Sequence, residues 1–150
     1  MPTAGGQAMK RLQAAAEKGD ASAQFNLGVL YDNRLDDNGH PIGSNRAQAL
    51  KWLQMAAEQG MARAQAKLAE VYAGGAKATG DDAKACFWFL LAADGSNGIH
   101  RLNAQSGYAR AAANLTKAEL ARTTKLARGW KPSKRGASTI GDIQPAHTVA

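Results

Sequence analysis

The sequence predicts an all-α protein: a right-handed α-α superhelix, a solenoid of antiparallel helix pairs, closed by a C-terminal capping helix. Three observations lead there. The 150-residue chain is 45% apolar but only 6% aromatic. Much of its apolar share is alanine, the residue with the best intrinsic helix propensity. The chain also repeats itself at a fixed spacing, the signature of stacked supersecondary units. Within the first unit Ala23, Leu27, Leu30 and Tyr31 recur at i, i+4, i+7 and i+8, one face of a helix.

The repeat is ungapped at a shift of 41 residues. Ala8-Met9-Lys10-Arg11-Leu12-Gln13 meets Ala49-Leu50-Lys51-Trp52-Leu53-Gln54, and Ala15-Ala16-Glu17-Lys18-Gly19 meets Ala56-Ala57-Glu58-Gln59-Gly60. Ala21, Ala23, Gln24, Leu27 and Tyr31 then meet Ala62, Ala64, Gln65, Leu68 and Tyr72. A third, partial copy follows at a shift of 36, where Trp52 meets Trp88 and Ala56-Ala57 meets Ala92-Ala93. The five-residue difference falls in one loop, which is how solenoids vary while their helices keep their spacing.

The elements follow in order. A half-unit at 7–19 holds a helix over 7–18. Repeats at 20–60 and 61–95 each hold a first-type helix (20–33, 61–74) and a second-type helix (45–59, 82–94). Gly19 and Gly60 end the second-type helices as left-handed caps, and Gly74-Gly75 ends a first-type helix in the same way. Residues 97–113 make one more first-type helix, with Ile99, Leu102 and the Ala109–Ala113 run as its apolar positions. Thr116-Lys117-Ala118-Glu119 is a capping box, Thr at the cap and Glu three on. It opens a helix to Gly129 with Leu120, Thr123, Leu126, Ala127 and Trp130 on one arc and Lys117, Arg122, Lys125 and Arg128 on another. A solenoid needs such a cap, because its last repeat otherwise exposes an apolar face. The domain is therefore 7–130, with terminal helices at 97–130. Residues 131–150, polar and basic, read as a tail that is disordered or loosely docked.

The pattern Ala-x-Ala-Gln-x-x-Leu-Gly-x-Leu-Tyr at 21–31, then Ala-x-x-Trp-x-x-x-Ala-Ala-x-x-Gly at 49–60, resembles the Sel-one-like repeat, a relative of the tetratricopeptide repeats. The resemblance covers residues 7–95. A Trp-Lys-Pro ending commonly closes such arrays, and Trp130-Lys131-Pro132 is similar. The second copy departs in having Ala69 where the first has Gly28, and the first loop, 34–44, is longer than the family's usual turn. Cysteine-rich secreted members pair cysteines within repeats. This chain has one cysteine and cannot.

Several chemistries fail on residue type or spacing. Cys86 stands beside Phe87-Trp88-Phe89 on a helix that repeats as core, so it reads as a buried, inert thiol. The turn 34–39 invites a calcium loop, but with Gly39 sixth, Arg34 stands first and Asn45 twelfth, where acids are required. His40, His100 and His147 share no zinc spacing with the cysteine. Asp81-Asp82 precedes a helix, where acids cap N–H groups and favour the dipole. Gly74-Gly75-Ala76-Lys77-Ala78-Thr79 lacks the order of a phosphate loop. No cofactor, metal or catalytic residue is assigned, and no stretch reaches the roughly 20 apolar residues of a membrane span.

The net charge of +7 is unevenly placed: residues 1–96 hold ten basic and ten acidic side chains, and 97–150 hold nine and two. The function expected is therefore that of an adaptor, holding a peptide or protein segment on a concave face lined by first-type helices. The candidate contacts are Phe25, Val29 and Asp32 from the first repeat and Arg63, Lys67 and Glu70 from the second. Phe25 and Val29 either pack against the preceding helix or offer an apolar contact, and Arg63 and Lys67 are solvated or touch a ligand. The alternative is that the basic C-terminal helix and tail dock on nucleic acid or an anionic surface, though no aromatics interleave the charges. The N-terminus lacks the apolar core of a signal peptide, so a cytoplasmic location is expected if the chain is complete. Because it opens in a second-type helix, an upstream repeat or self-association is expected to cover that end.

Overall fold

Seven helices follow one another in the computed structural model, which describes residues 4–32, 45–74 and 81–133. They are α1 (Ala4–Glu17), α2 (Ala21–Asp32), α3 (Arg46–Glu58), α4 (Ala62–Ala73), α5 (Asp82–Asp94), α6 (Gly98–Ala112) and α7 (Lys117–Gly129). No strand occurs among the described residues. Each expected helix is present, and the bounds differ by at most three residues, most at the start of α1, while 82–94 coincides with α5. Residues 1–3, 33–44, 75–80 and 134–150 lie outside the described residues, and with them the calcium turn, most of the glycine stretch after α4, His40 and His147.

The helix ends form as the sequence implies. Gly19, Gly60 and Gly74 have φ of 101°, 93° and 75°, the left-handed region that a Cβ disfavours. Asn45 Oδ1 accepts from the Gln48 amide and Asp81 Oδ1 from the Lys84 amide, both at 3.1 Å. The Thr116–Glu119 box closes in both directions.

Helices pack in chain order, α1 on α2 through to α5 on α6. The first-type helices α2, α4 and α6 also touch one another in sequence, which makes them one layer. The larger core runs through Leu53, Leu68, Phe87, Trp88 and Phe89 among buried alanines. A smaller one joins Ala16, Ala23, Leu27 and Trp52. The alanines set the spacing between helices and the aromatics fill the gaps. Two glycines go further. A Cβ on Gly28 would lie 2.5 Å from Leu53 Cγ, and one on Gly107 would overlap the Phe89 ring.

Three features depart from expectation. Leu30, placed with Ala23, Leu27 and Tyr31 on the apolar face of α2, is 40% exposed. Ile99 and Leu102, taken as the apolar positions of α6, are 62% and 59% exposed. The face of α6 that packs is Ala104, Gly107 and Ala111, because Phe89 needs the room that larger side chains would take. Finally, the ordered chain does not stop at Trp130. Its ring meets Trp88 edge-on at 5.9 Å, and Pro132 lies against Gly60. The Ser133 amide donates to the Glu58 carbonyl at 2.6 Å. Residues 131–133, assigned to the tail, thus dock on the end of α3.

A methyl group at position 107 has nowhere to go. Gly107→Ala is expected to cost about 1–3 kcal/mol, the usual penalty for overpacking. Gly129→Ala, with nothing within 4 Å of the added carbon, should be neutral or slightly stabilising. Urea denaturation of the two variants checks both, and equal midpoints would remove the close approach from the account.

Candidate functional site

The six candidate residues lie on the α2–α4–α6 layer, and five of them engage one another. Phe25 is half-buried against the larger core, and the Arg63 guanidinium sits 5.0 Å above its ring centroid. This partner comes from the following repeat. Lys67 Nζ lies 3.0 Å from Asp32 Oδ2 and 3.8 Å from Glu70 Oε2. Val29, half-buried, stands on α2 between Phe25 and Asp32. The set therefore stitches α2 to α4. Half-exposed ion pairs of this kind add at most about 1 kcal/mol, so breaking them would cost the fold little.

Beside this seam the layer opens. A cleft of about 320 Å³ lies between α4 and α6. Arg63, Ala66 and Glu70 form one wall, His100 and Asn103 the other, and Phe89 is part of the lining. Arg63 and Glu70 were among the candidates. His100 and Asn103 were not, although a signal was present. The shift of 36 that aligns Trp52 with Trp88 also carries Tyr72 onto Tyr108 and Gln65 onto Arg101. It makes α6 a third inner helix, whose residues belong in the search.

Two titratable groups have displaced pKa values, and burial is the main cause of both. Burial pushes the Cys86 thiol up to about 12, with Asp82 adding to it. Its Sγ lies 3.8 Å from the Tyr108 carbonyl. A nucleophilic cysteine needs the opposite displacement. Burial likewise pushes Tyr72 up to about 12, reinforced by Asp81 and Glu58 against a lowering from Arg46. Its hydroxyl donates to Gln54 Oε1 at 3.3 Å, and Gln54 Nε2 donates to Glu58 Oε1 at 3.2 Å. This buried chain bridges α3 and α4. Neither Cys86 nor Tyr72 lines the cleft. Among the described residues no group of three His, Cys, Asp or Glu side chains could hold a metal. None of the helices described is long and apolar enough to cross a membrane.

Two consecutive stretches, 21–61 and 62–97, match the family described as Sel1 repeat. No curated protein and no solved structure matches the chain. The matched segments begin at the first residues of α2 and α4, so the family unit and the helix pair coincide.

Two consequences of burial are measurable. Cys86 should resist alkylation at neutral pH in the native protein and react once the chain is unfolded in urea. Both raised groups hold their protons longer when folded, Cys86 against 9.0 and Tyr72 against 10.0 as ordinary values. Their stabilisation is complete below pH 9 and is lost as pH climbs towards 12. Melting temperature should fall across that window, less steeply in a Cys86→Ala/Tyr72→Phe variant. An identical alkaline slope in the variant would refute the assignment.

Proposed function

Because the chain belongs to the Sel1 repeat family, we propose that it is a binding module that holds a protein or peptide segment along the α2–α4–α6 layer, its concave face. Sel1 repeats are generally protein–protein interaction modules, and proteins built from them are typically non-enzymatic scaffolds. The observation that carries the reading is the open cleft between α4 and α6. It has Arg63 and His100 to meet carboxylates, Glu70 to meet a cation, and Asn103 to pair with a peptide backbone. A segment lying across it reaches the Phe25–Arg63 stack and the Lys67 pairs without disturbing the core.

The docking of the basic end on nucleic acid or an anionic surface has one observation in its favour. Lys117, Arg122, Lys125 and Arg128 are all exposed on α7. They are solvated charges on the outer side of a cap, with no aromatic among them for base stacking.

The two readings separate by position. A photo-reactive residue placed at Asn103 should cross-link partner peptides, whereas one at Lys125 should not. An Arg63→Ala/His100→Ala variant should bind the same partner at least about tenfold more weakly, as loss of a principal contact does, with its melting temperature unchanged. Cross-linking at 125 with none at 103 would transfer the function to the cap.

A further inference from the structure

We propose that the uncovered flank of α6 is a docking face for a helical partner segment carrying apolar side chains between acidic ones. This rests on the reading of the chain as a binding module and specifies the partner's chemistry. The argument starts from register. Leu102 occupies the place that Ala66 holds in α4 and Phe25 in α2, and Ile99 that of Arg63 and Ser22. Phe25 is covered by Arg63 of the next inner helix, and Ala66 faces the cleft that α6 walls. For Leu102 no next inner helix exists among the described residues.

The outer layer does not cover it either. α2 packs against α3 and α4 against α5, whereas α7 lies against α5 instead of along α6. Ile99 and Leu102, one turn apart, are therefore the two most exposed large apolar side chains described. In the first repeat the following inner helix supplies the cover, with Arg63 over Phe25, and a partner helix on the α6 flank would take the same place.

Charge selects the occupant. α6 carries His100, Arg101 and Arg110 and no acid. On α7 Lys117, Arg122, Lys125 and Arg128 are exposed, with Glu119 the only acid. A second copy offers no strongly acidic segment to this flank: its residues 1–96 balance at ten basic and ten acidic side chains and 97–150 hold nine and two, and its α1 carries Lys10 and Arg11. An acidic amphipathic helix has its leucines matched by Ile99 and Leu102 and its carboxylates matched by the arginines.

The test uses the full chain and a fluorescein-labelled helical peptide with leucine at i, i+3 and i+7 and glutamate between. A control peptide has lysine for each glutamate. Fluorescence anisotropy should detect binding of the glutamate peptide, weakening as salt is added, and none of the control. Ile99→Ser/Leu102→Ser and Arg110→Glu should each weaken it at least about tenfold, while circular dichroism shows unchanged melting. The inference is overturned if the glutamate peptide does not bind, if the control binds equally, or if the Ile99/Leu102 variant binds as well as the unaltered chain. It is overturned too if the chain forms a dimer in sedimentation that Leu102→Ser abolishes. Cross-linking at position 103 reports separately on the module reading: if it persists while Ile99 and Leu102 prove irrelevant, only the α6 flank is lost.

Discussion

One hydrogen bond recurs at each seam between repeats. Gln24 Nε2 donates to the Ala16 carbonyl at 3.0 Å, Gln65 Nε2 to Ala57 at 3.2 Å, and Arg101 Nε to Ala93 at 3.1 Å. In each case the donor stands eight residues after the acceptor. The last turn of a helix leaves four carbonyls without intrahelical partners. Stacking the next helix over that turn removes them from water, and an unpaired buried carbonyl costs about 1–3 kcal/mol. A long side chain with an N–H at its tip, in the first turn of the incoming helix, removes the penalty. Close stacking of alanine faces depends on that donor. Gln24 and Gln65 are buried, whereas Arg101, on the last of the three inner helices described, is exposed. There the longer side chain reaches the same acceptor while its charge stays in water.

The same logic explains why loop length is free to vary. The Asn45 amide donates to the Tyr31 carbonyl at 2.8 Å and the Asp81 amide to the Tyr72 carbonyl at 2.6 Å. Both residues also cap the helix that follows. Each loop is thus tied at its two ends by identical bonds. The five extra residues of the first loop change the connection and leave the helix pair untouched.

The fold was legible because its determinants are local and recur. Ala16-Gly19 and Ala57-Gly60, the tyrosines and the capping residues each announce a boundary, and the repeat supplies a second reading of every one. The site was less legible, because its contacts cross between repeats. Nothing in the spacing of Phe25 and Arg63, or of Asp32 and Lys67, says that they meet. The misreading of Ile99 and Leu102 has a different cause. A helix periodicity reports that a face is apolar, not whether a neighbour is there to cover it. On α6 the buried face is built from Ala104, Gly107 and Ala111, whose small size hides them from any search for bulky stripes.

How the array ends follows from one change of size. Seven positions after their caps, α3 and α5 carry Trp52 and Trp88, and α7 carries Thr123. Trp52 and Trp88 are the bulk between layers, whereas Thr123, buried with Ala127, lets α7 press closely on α5. The indole missing from that position returns one heptad later as Trp130, against Trp88. From there the chain crosses to Gly60 and Glu58, tying the cap to α3. A helix drawn onto α5 in this way cannot also lie along α6. Among the described residues the outer layer thus closes on α5, while Ile99 and Leu102 stand on a flank of α6 that no further inner helix covers.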